Sequence, residues 1–112
     1  MTTAPPVVLL VDDERIILRM LEVNFRAAGF EVETATSGAG ALDTAVSVQP
    51  DAVVLDLGLP DLDGWEVVRR LRELDGLAAT PVVVLSGADR DASGARDYAS
   101  SVNAYVTKPV EP

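Results

Sequence analysis

The chain contains no histidine and no cysteine among its 112 residues, and its single lysine is Lys108. Without cysteine there is no disulfide framework and no thiol chemistry, and without histidine no internal imidazole can act as a base or a nucleophile. No hydrophobic run approaches the roughly 18 residues of a transmembrane helix, and residues 1–6 lack the basic segment that opens a signal peptide. These absences predict a soluble, cytoplasmic protein that does not bind membranes.

Aromatic residues and positive charge are also scarce. Aromatic residues make up only 4% of the chain, although 48% of it is hydrophobic, so we expect a folded domain with an aliphatic core. Acidic residues outnumber basic ones by 18 to 9, which gives a formal net charge of −9. Because nucleic-acid binding needs clustered Lys and Arg against the phosphates, we expect no direct contact with nucleic acid. The length suits one domain over residues 1–112, with an extended lead at 1–6.

Short aliphatic runs alternate with amphipathic segments along the whole chain. This alternation predicts an α/β protein in which a parallel sheet is covered by helices on both faces. We expect strand two to be an edge or half-exposed strand, and the last helix, which contains Gly94 and several serines, to be the least stable. The predicted strands are 7–11, 31–35, 52–56, 82–85 and 104–106, and the predicted helices are 14–28, 39–48, 64–75 and 91–101.

Helical spacing predicts which side chains of the first three helices face the sheet. The basic residues of helices one and three, among them Arg69, Arg70 and Arg72, are expected to face water. The inward residues are predicted to be Ile17, Leu21, Phe25 and Ala28 in helix one, Ala41, Leu42, Ala45 and Val46 in helix two, and Val67, Val68, Leu71 and Leu74 in helix three.

The fold class that these elements favour is a doubly wound, five-stranded parallel sheet with the flavodoxin-like strand order 2-1-3-4-5. In such a sheet ligands bind outside the carboxyl ends of the strands, where the strand order reverses. Here the reversal lies between strands one and three. The residues that follow these two strands are therefore the first candidates for a functional site.

Acidic residues follow both of those strands. Strand one leads directly into Asp12 and Asp13, and strand three ends in Asp56, while Ser86 follows strand four and Lys108 follows strand five. A single Asp after a strand is usually a helix N-cap or a turn residue, so Asp12 or Asp13 alone could cap helix one. Four strand ends that all carry chemically complementary groups are better explained by one common site.

Three carboxylates close together repel one another unless a cation neutralises them. Carboxylate and carbonyl oxygens are the ligands that suit Mg²⁺, which uses only one or two carboxylates directly. With the metal bound, Asp56 can act as a nucleophile towards phosphorus, as in aspartyl-phosphate chemistry. Lys108, the Ser86 hydroxyl and nearby backbone N–H groups would then neutralise the phosphoryl oxygens. The strand ends therefore predict a magnesium-dependent phosphoryl-acceptor site.

Four motifs of this site resemble the receiver domain of two-component response regulators. They are Asp12-Asp13, the segment 56–64, Ser86-Gly87-Ala88 and the segment 105–109, and the resemblance covers about residues 7–109. It implies a bacterial phosphoprotein, a signalling domain and not an enzyme in the usual sense, although such a domain can catalyse its own phosphorylation and dephosphorylation. Asp56 would accept the phosphoryl group from a phosphohistidine of a sensor histidine kinase or a phosphotransfer protein.

The resemblance also implies roles for individual residues. Asp13, Asp56 and the backbone carbonyl of Gly58 would bind Mg²⁺, and Asp12 would act through water. Lys108 would pair first with the carboxylates and then with the phosphoryl group, through a cis peptide bond to Pro109. Ser86 would move towards the phosphate and Tyr105 would turn inward, which together switch the conformation. Trp65, which follows the acidic loop, is expected to pack helix three.

One departure from the family pattern concerns the fifth helix that normally follows the Lys-Pro turn, for which this sequence has no residues. We expect either that the chain is truncated after strand five, or that another copy or a partner covers the exposed face. An effector domain or a homodimer is therefore a candidate partner. The sequence names neither the kinase nor the output.

Two other functions compete with this interpretation. The first is a receiver-like domain that no longer uses phosphate and serves as a scaffold or a dimerisation module. The second is a haloacid-dehalogenase-like phosphatase, which also uses a nucleophilic Asp after a parallel strand and Mg²⁺. That class has an early nucleophile with a second Asp two positions later, whereas Asp12 and Asp13 are adjacent.

Overall fold

The computed structural model describes residues 4–86 and 104–107, and for Ser86 and Ala104–Thr107 it describes the backbone alone. Strands and helices alternate over residues 4–86 as the hydrophobic pattern predicts. The strands are β1 (Val7–Val11), β2 (Glu31–Ala35), β3 (Ala52–Asp56), β4 (Val82–Ser86) and β5 (Ala104–Thr107), and the helices are α1 (Arg15–Ala27), α2 (Gly38–Val48) and α3 (Gly64–Arg72).

The strands form one parallel sheet in the order β2-β1-β3-β4-β5, which confirms the predicted doubly wound topology. β2 lies at the edge, as its alternating sequence indicates, and exposes three of its five residues. The register pairs Val11 with Leu55, Asp56 with Leu85, and Ser86 with Thr107. The carboxyl ends of β1, β3, β4 and β5 therefore lie side by side. They form one edge of the sheet, which consists of strand ends and is distinct from the outer strand β2.

Two hydrophobic layers cover the two faces of the sheet because successive side chains of a strand point to opposite sides. In β1, Leu9 and Val11 belong to the layer shared with α2 and α3, and Val8 and Leu10 belong to the layer shared with α1. All four side chains are almost completely buried. This is why β1 is an unbroken aliphatic run, since a central strand of a parallel sheet is buried on both faces.

The burial of the helix residues differs from the predicted inward faces at three positions. In α1 the buried residue is Leu18, whereas Ala28 lies just after the helix and is exposed. In α2 the prediction for Val46 is wrong, because its side chain is 54% exposed while Ala41 and Ala45 are buried. The buried residues of the predicted α2 face, Ala41 and Ala45, are both small, so the contact face of α2 is narrower than helical spacing alone suggests.

Helix α3 ends at Arg72, three residues earlier than predicted, and turns follow it. The Arg72 guanidinium donates hydrogen bonds to the carbonyl oxygens of Leu77 (3.2 Å) and Thr80 (2.6 Å). Arg72 therefore secures the connection to β4 and does not simply face water. Val67, Val68 and Leu71 are buried as predicted.

Several predictions fall on other parts of the chain. The fourth helix over 91–101 lies outside the described residues. So does everything after Thr107, which includes the predicted cis bond before Pro109 and the stretch where the family's fifth helix is expected to be missing. Among the described helices, none is both long and apolar enough to cross a membrane.

A surface ion-pair group on α3 gives a prediction about pH. Hydrogen bonds from Arg69 and Arg70 lower the pKa of Glu66 from its ordinary value of 4.5 to about 2. A lowered pKa in the folded state means that the stabilisation is complete above pH 4.5 and is lost as the pH falls towards about 2. We expect Glu66→Gln to reduce the pH dependence of the unfolding midpoint in this window, measured by denaturant titration. An unchanged pH dependence would contradict this expectation.

Candidate metal and phosphoacceptor site

Three carboxylates meet at the edge where the strand order reverses. Single oxygen atoms of Asp12, Asp13 and Asp56 all lie within 4.8 Å of one another, and we call these three residues the acidic cluster. Asp12 is fully buried, Asp56 is 4% exposed, and Asp13 is exposed. The three side chains therefore converge, as the strand ends predict. The cluster is open to solvent on the side of Asp13.

The backbone explains why these carboxylates come together. The N–H of Asp12 donates to the carbonyl of Ala35 (3.1 Å), which continues the pairing of β1 and β2 one residue beyond the strand. One carboxylate oxygen of Asp12 accepts the N–H of Glu14 (2.9 Å), at the point where the chain turns into α1. Asp12 thus contributes to the helix start, as the capping alternative suggests, although Glu14 occupies the N-cap position. The same hydrogen bond fixes the Asp12 carboxylate in its place within the acidic cluster.

Asp56 is held by the central part of the sheet. It is the last residue of β3 and is paired in register with Leu85 of β4. The N–H of the next residue, Leu57, donates a hydrogen bond to the carbonyl of Leu85 (3.1 Å). The main chain at Gly58 lies beside the carboxylate, since a Cβ at this position would be 3.7 Å from Asp56 Oδ2. The predicted backbone ligand is therefore near the predicted phosphoacceptor.

The electrostatics of the cluster favour a bound cation. Two of the three acids are buried, and mutual repulsion of carboxylates at these distances is costly unless positive charge compensates it. The donors are all oxygen atoms, which is the set preferred by hard divalent ions. One or two carboxylates with room for water on the exposed side suit Mg²⁺ better than a closed protein cage does. The residues present therefore fit a magnesium ion.

The loop from Leu57 to Asp63 contains contacts that the sequence analysis did not find. The N–H of Gly64 closes the loop on the carbonyl of Leu57 (3.2 Å), and the Asp63 carboxylate accepts the N–H of Trp65 (3.0 Å) as the N-cap of α3. An Asp directly before a helix start is a recognisable N-cap signal. The Asp61 carboxylate reaches the first residues of α2, and no local pattern predicts that contact.

The remaining predicted site residues can be placed only in part. Ser86 ends β4 next to the Asp56–Leu85 pair, and Tyr105 lies within β5, whose last residue Thr107 pairs with Ser86. Their side chains and Lys108 are outside the described structure. Trp65 is 4% exposed and belongs to the hydrophobic layer under α2 and α3, as its expected packing role requires.

A doubly wound parallel sheet with an acidic site at its switch point defines a class of α/β proteins that bind ligands at this edge. The profile of the response regulator receiver domain matches residues 8–112. The chain therefore belongs to the response regulator receiver domain family, whose members are signalling domains of two-component systems.

Individual relatives agree with this assignment. The chain is 44% identical over 102 residues to the transcriptional regulatory protein KdpE of Mycobacterium tuberculosis, a match that covers 91% of this chain and 44% of KdpE. The chain thus spans less than half the length of the curated relatives that it matches. The match to KdpE therefore covers only part of a longer regulator.

Solved structures show the same fold. The chemotaxis response regulator CheY4 of Vibrio cholerae has a TM-score of 0.85 and 30% identity, over 94% of this chain and 88% of CheY4. The receiver domain of sensor histidine kinase PA1611 from Pseudomonas aeruginosa has a TM-score of 0.83 and 27% identity, over 96% of this chain and 88% of that domain. That structure has a magnesium ion coordinated in its active site cleft.

Proposed function

We propose that this chain is a cytoplasmic phosphoacceptor domain in which Asp56 takes a phosphoryl group from a phosphohistidine of a sensor histidine kinase or a phosphotransfer protein. The observation that carries the proposal is the convergence of the acidic cluster at the switch point of the sheet. The lack of histidine in these 112 residues agrees with it, since the donor imidazole must lie outside them.

The acidic cluster and the Gly58 carbonyl are the groups that would hold Mg²⁺. When bound, Mg²⁺ supplies positive charge for the carboxylates and for the phosphoryl oxygens. An oxygen of the Asp56 carboxylate forms the new bond to phosphorus while the bond from phosphorus to the donor imidazole nitrogen breaks. That nitrogen keeps the bonding electron pair, and a proton already carried by the other ring nitrogen leaves the donor as a neutral imidazole. The fixed position of Asp56 at the end of β3 supports this role, because orientation is a large part of phosphoryl-transfer catalysis.

We assign the remaining charge and switching roles to residues on the neighbouring strand ends. Lys108 follows β5 and would neutralise a phosphoryl oxygen, and the Ser86 hydroxyl would donate a hydrogen bond to another. Tyr105 would take a second position when Ser86 moves, so that phosphorylation shifts a two-state equilibrium. The register that pairs Ser86 with Thr107 supports this assignment. The output would be an effector domain or a homodimer.

A direct test uses acetyl phosphate, a small phosphoryl donor, with and without Mg²⁺. The proposal predicts that the chain gains close to one labile acyl phosphate per molecule, that the gain requires Mg²⁺, and that excess EDTA prevents it. Steady turnover of several organic phosphates without a stable phosphoprotein would indicate the phosphatase alternative. A chain that neither gains the group nor releases phosphate would indicate the scaffold alternative.

We also propose that the solvent-facing side of α1 is a docking surface for the phosphodonor protein. Ile16, Met20 and Val23 are 78%, 49% and 51% exposed, and their i, i+4, i+7 spacing places them in one stripe, which we call the α1 stripe. The stripe lies opposite the buried Leu18, and its first residue follows Asp13, the exposed acid of the cluster, by three positions. A helix that carries the phosphohistidine could pack on this stripe and reach the acidic cluster.

This surface predicts a difference between protein and small-molecule donors. We expect Met20→Asp to reduce kcat/KM for transfer from a phosphorylated kinase that reacts with the wild type by about 10- to 30-fold, as for a central interface residue. The rate with acetyl phosphate should stay unchanged. Val46→Asp on α2 is the matched control, since Val46 is similarly exposed (54%) but lies on the opposite side of the sheet. Equal losses with both donors, or equal losses in both variants, would contradict the assignment.

A further inference from the structure

The Asp61 carboxylate joins the loop after β3 to the start of α2. One carboxylate oxygen accepts the N–H of Gly38 (2.7 Å) and the other accepts the N–H of Ala39 (2.9 Å). These N–H groups belong to the first two residues of α2, where the backbone has no partner within the helix. Both hydrogen bonds hold the pKa of the Asp61 carboxyl below its ordinary value, so the group is ionised at neutral pH. Bonds to an ionised acceptor are stronger than those between neutral groups.

The next residue of the loop packs against the same helix start. A Cβ at Gly38 would lie 2.8 Å from the Cβ of Leu62 and 3.0 Å from Cγ2 of Val67. Glycine at this position therefore permits a close approach that a larger residue would prevent. The loop is fixed to α2 by charge at Asp61 and by packing at Leu62.

The helix itself does not depend on Asp61 for its cap. The Ser37 hydroxyl already accepts the N–H of Gly40 (3.0 Å), which is the ordinary N-cap contact. The Asp61 bonds connect residues 22 and 23 positions apart in the sequence, so they restrain the loop more than they extend the helix. This distinguishes a tertiary contact from a local capping contact.

The restrained loop is short and begins at the acidic cluster. Gly58 lies three residues before Asp61, and the loop closes where the N–H of Gly64 meets the carbonyl of Leu57. We infer that Asp61 is a positioning residue for the metal site, because its bonds to α2 hold the Gly58 backbone beside Asp56. The inference rests on the proposed Mg²⁺ site. If the loop holds the Gly58 backbone beside Asp56 for a smaller fraction of the time, the apparent Mg²⁺ dissociation constant rises in inverse proportion to that fraction.

The test measures the Mg²⁺ dissociation constants of the wild-type chain and its variants by isothermal titration calorimetry at pH 7. We expect Asp61→Ala to weaken binding about 5- to 20-fold, within the usual range of coupling between sites. Asp61→Asn should have a smaller effect, since its amide oxygen can still accept one N–H. Asp43→Ala, which removes an exposed acid of α2, controls for the change in net charge and should alter the constant by less than about twofold.

A second variant leaves the charge of the chain unchanged. Gly38→Ala places a methyl group against Leu62 and should weaken Mg²⁺ binding by displacing the same loop. Amide NMR of the metal-free chains gives an independent readout, because the Gly38 and Ala39 resonances should move in Asp61→Ala and remain in place in Asp43→Ala. If Asp61→Ala were to unfold, Asp61→Asn and Gly38→Ala would carry the test.

Three outcomes would overturn the inference. The first is an unchanged Mg²⁺ constant in Asp61→Ala with a lower unfolding midpoint, which would show a role in stability alone. The second is an equal loss in Asp43→Ala, which would show a general effect of charge. The third is a wild-type chain that does not bind Mg²⁺. This last result would reject the proposed function together with the inference, whereas the first two would leave the proposed function intact.

Discussion

Asp56→Asn is expected to reduce phosphoryl uptake from acetyl phosphate by at least about a hundredfold, because an amide oxygen is a far weaker nucleophile than a carboxylate. The substitution keeps the size and shape of a side chain that is only 4% exposed. It also removes one of three negative charges whose oxygen atoms lie within 4.8 Å. We therefore expect the metal-free variant to be no less stable than the wild type, so that a loss of uptake is not a loss of folding.

The experiment compares phosphoprotein formation over time in the two chains at saturating Mg²⁺. Asp43→Asn is the matched control, since it makes the same chemical change at an exposed position on α2. It should react at the wild-type rate. Uptake by the Asp56→Asn chain at the control rate, in a form with the same lability, would show that another residue is the acceptor.

Gly64→Ala is expected to lower the free energy of unfolding by about 2–3 kcal/mol, as overpacking of a filled site does. A Cβ at Gly64 would lie 2.6 Å from the Cα of Leu57 and 3.1 Å from the carbonyl oxygen of Asp56. Both are backbone atoms, so the clash cannot be relieved by a rotation of a side chain. Relief requires the start of the loop to move, and with it the main chain next to the phosphoacceptor.

Urea denaturation at neutral pH measures this effect, with Gly29→Ala as the matched control. Gly29 has a φ of +99°, but a Cβ there would meet nothing within 4 Å. The control should therefore cost only the conformational penalty of a left-handed residue, about 1–2 kcal/mol. Equal stability of Gly64→Ala and the wild type would show that the loop can move away from the helix without cost. In that case the close approach at Gly64 would not restrain the site.

The central strands were predictable because their sequence has a direct physical cause. β1 is aliphatic throughout and β3 is aliphatic up to its last residue, Asp56, since both faces of these strands are covered, and their predicted bounds agree with the structure. The convergence of Asp12, Asp13 and Asp56 followed from the same reasoning, because parallel strands bring their carboxyl ends to one edge. The chemistry of the site could thus be inferred from strand order and the residue types at the strand ends.

Helix faces were harder to predict because they depend on how closely each helix approaches the sheet. Val46 fits the apolar spacing of α2, yet Ala41 and Ala45 form the contact and leave Val46 in solvent. In α1, hydrophobic residues occur on both sides, with Leu18 buried and the α1 stripe exposed. Periodicity alone does not distinguish a core face from a docking face on such a helix.

The Asp61 contact could not be predicted from the sequence because its partners are backbone N–H groups more than 20 positions away. Any residue other than proline has the backbone N–H that donates at positions 38 and 39. Only the tertiary structure shows that the loop after β3 and the start of α2 are adjacent. Contacts of this kind, between a side chain and a remote main chain, carry no residue pattern in the partner.

The most direct test of the account is a Mg²⁺ titration of the wild-type chain followed by amide NMR. The account predicts saturable binding of one ion, with the largest shifts at Asp12, Asp13 and the segment 56–58, and with small shifts at exposed acids such as Asp43 and Asp75. The contradicting result would be weak, unsaturated shifts spread over the acidic surface, or a saturable site away from the acidic cluster.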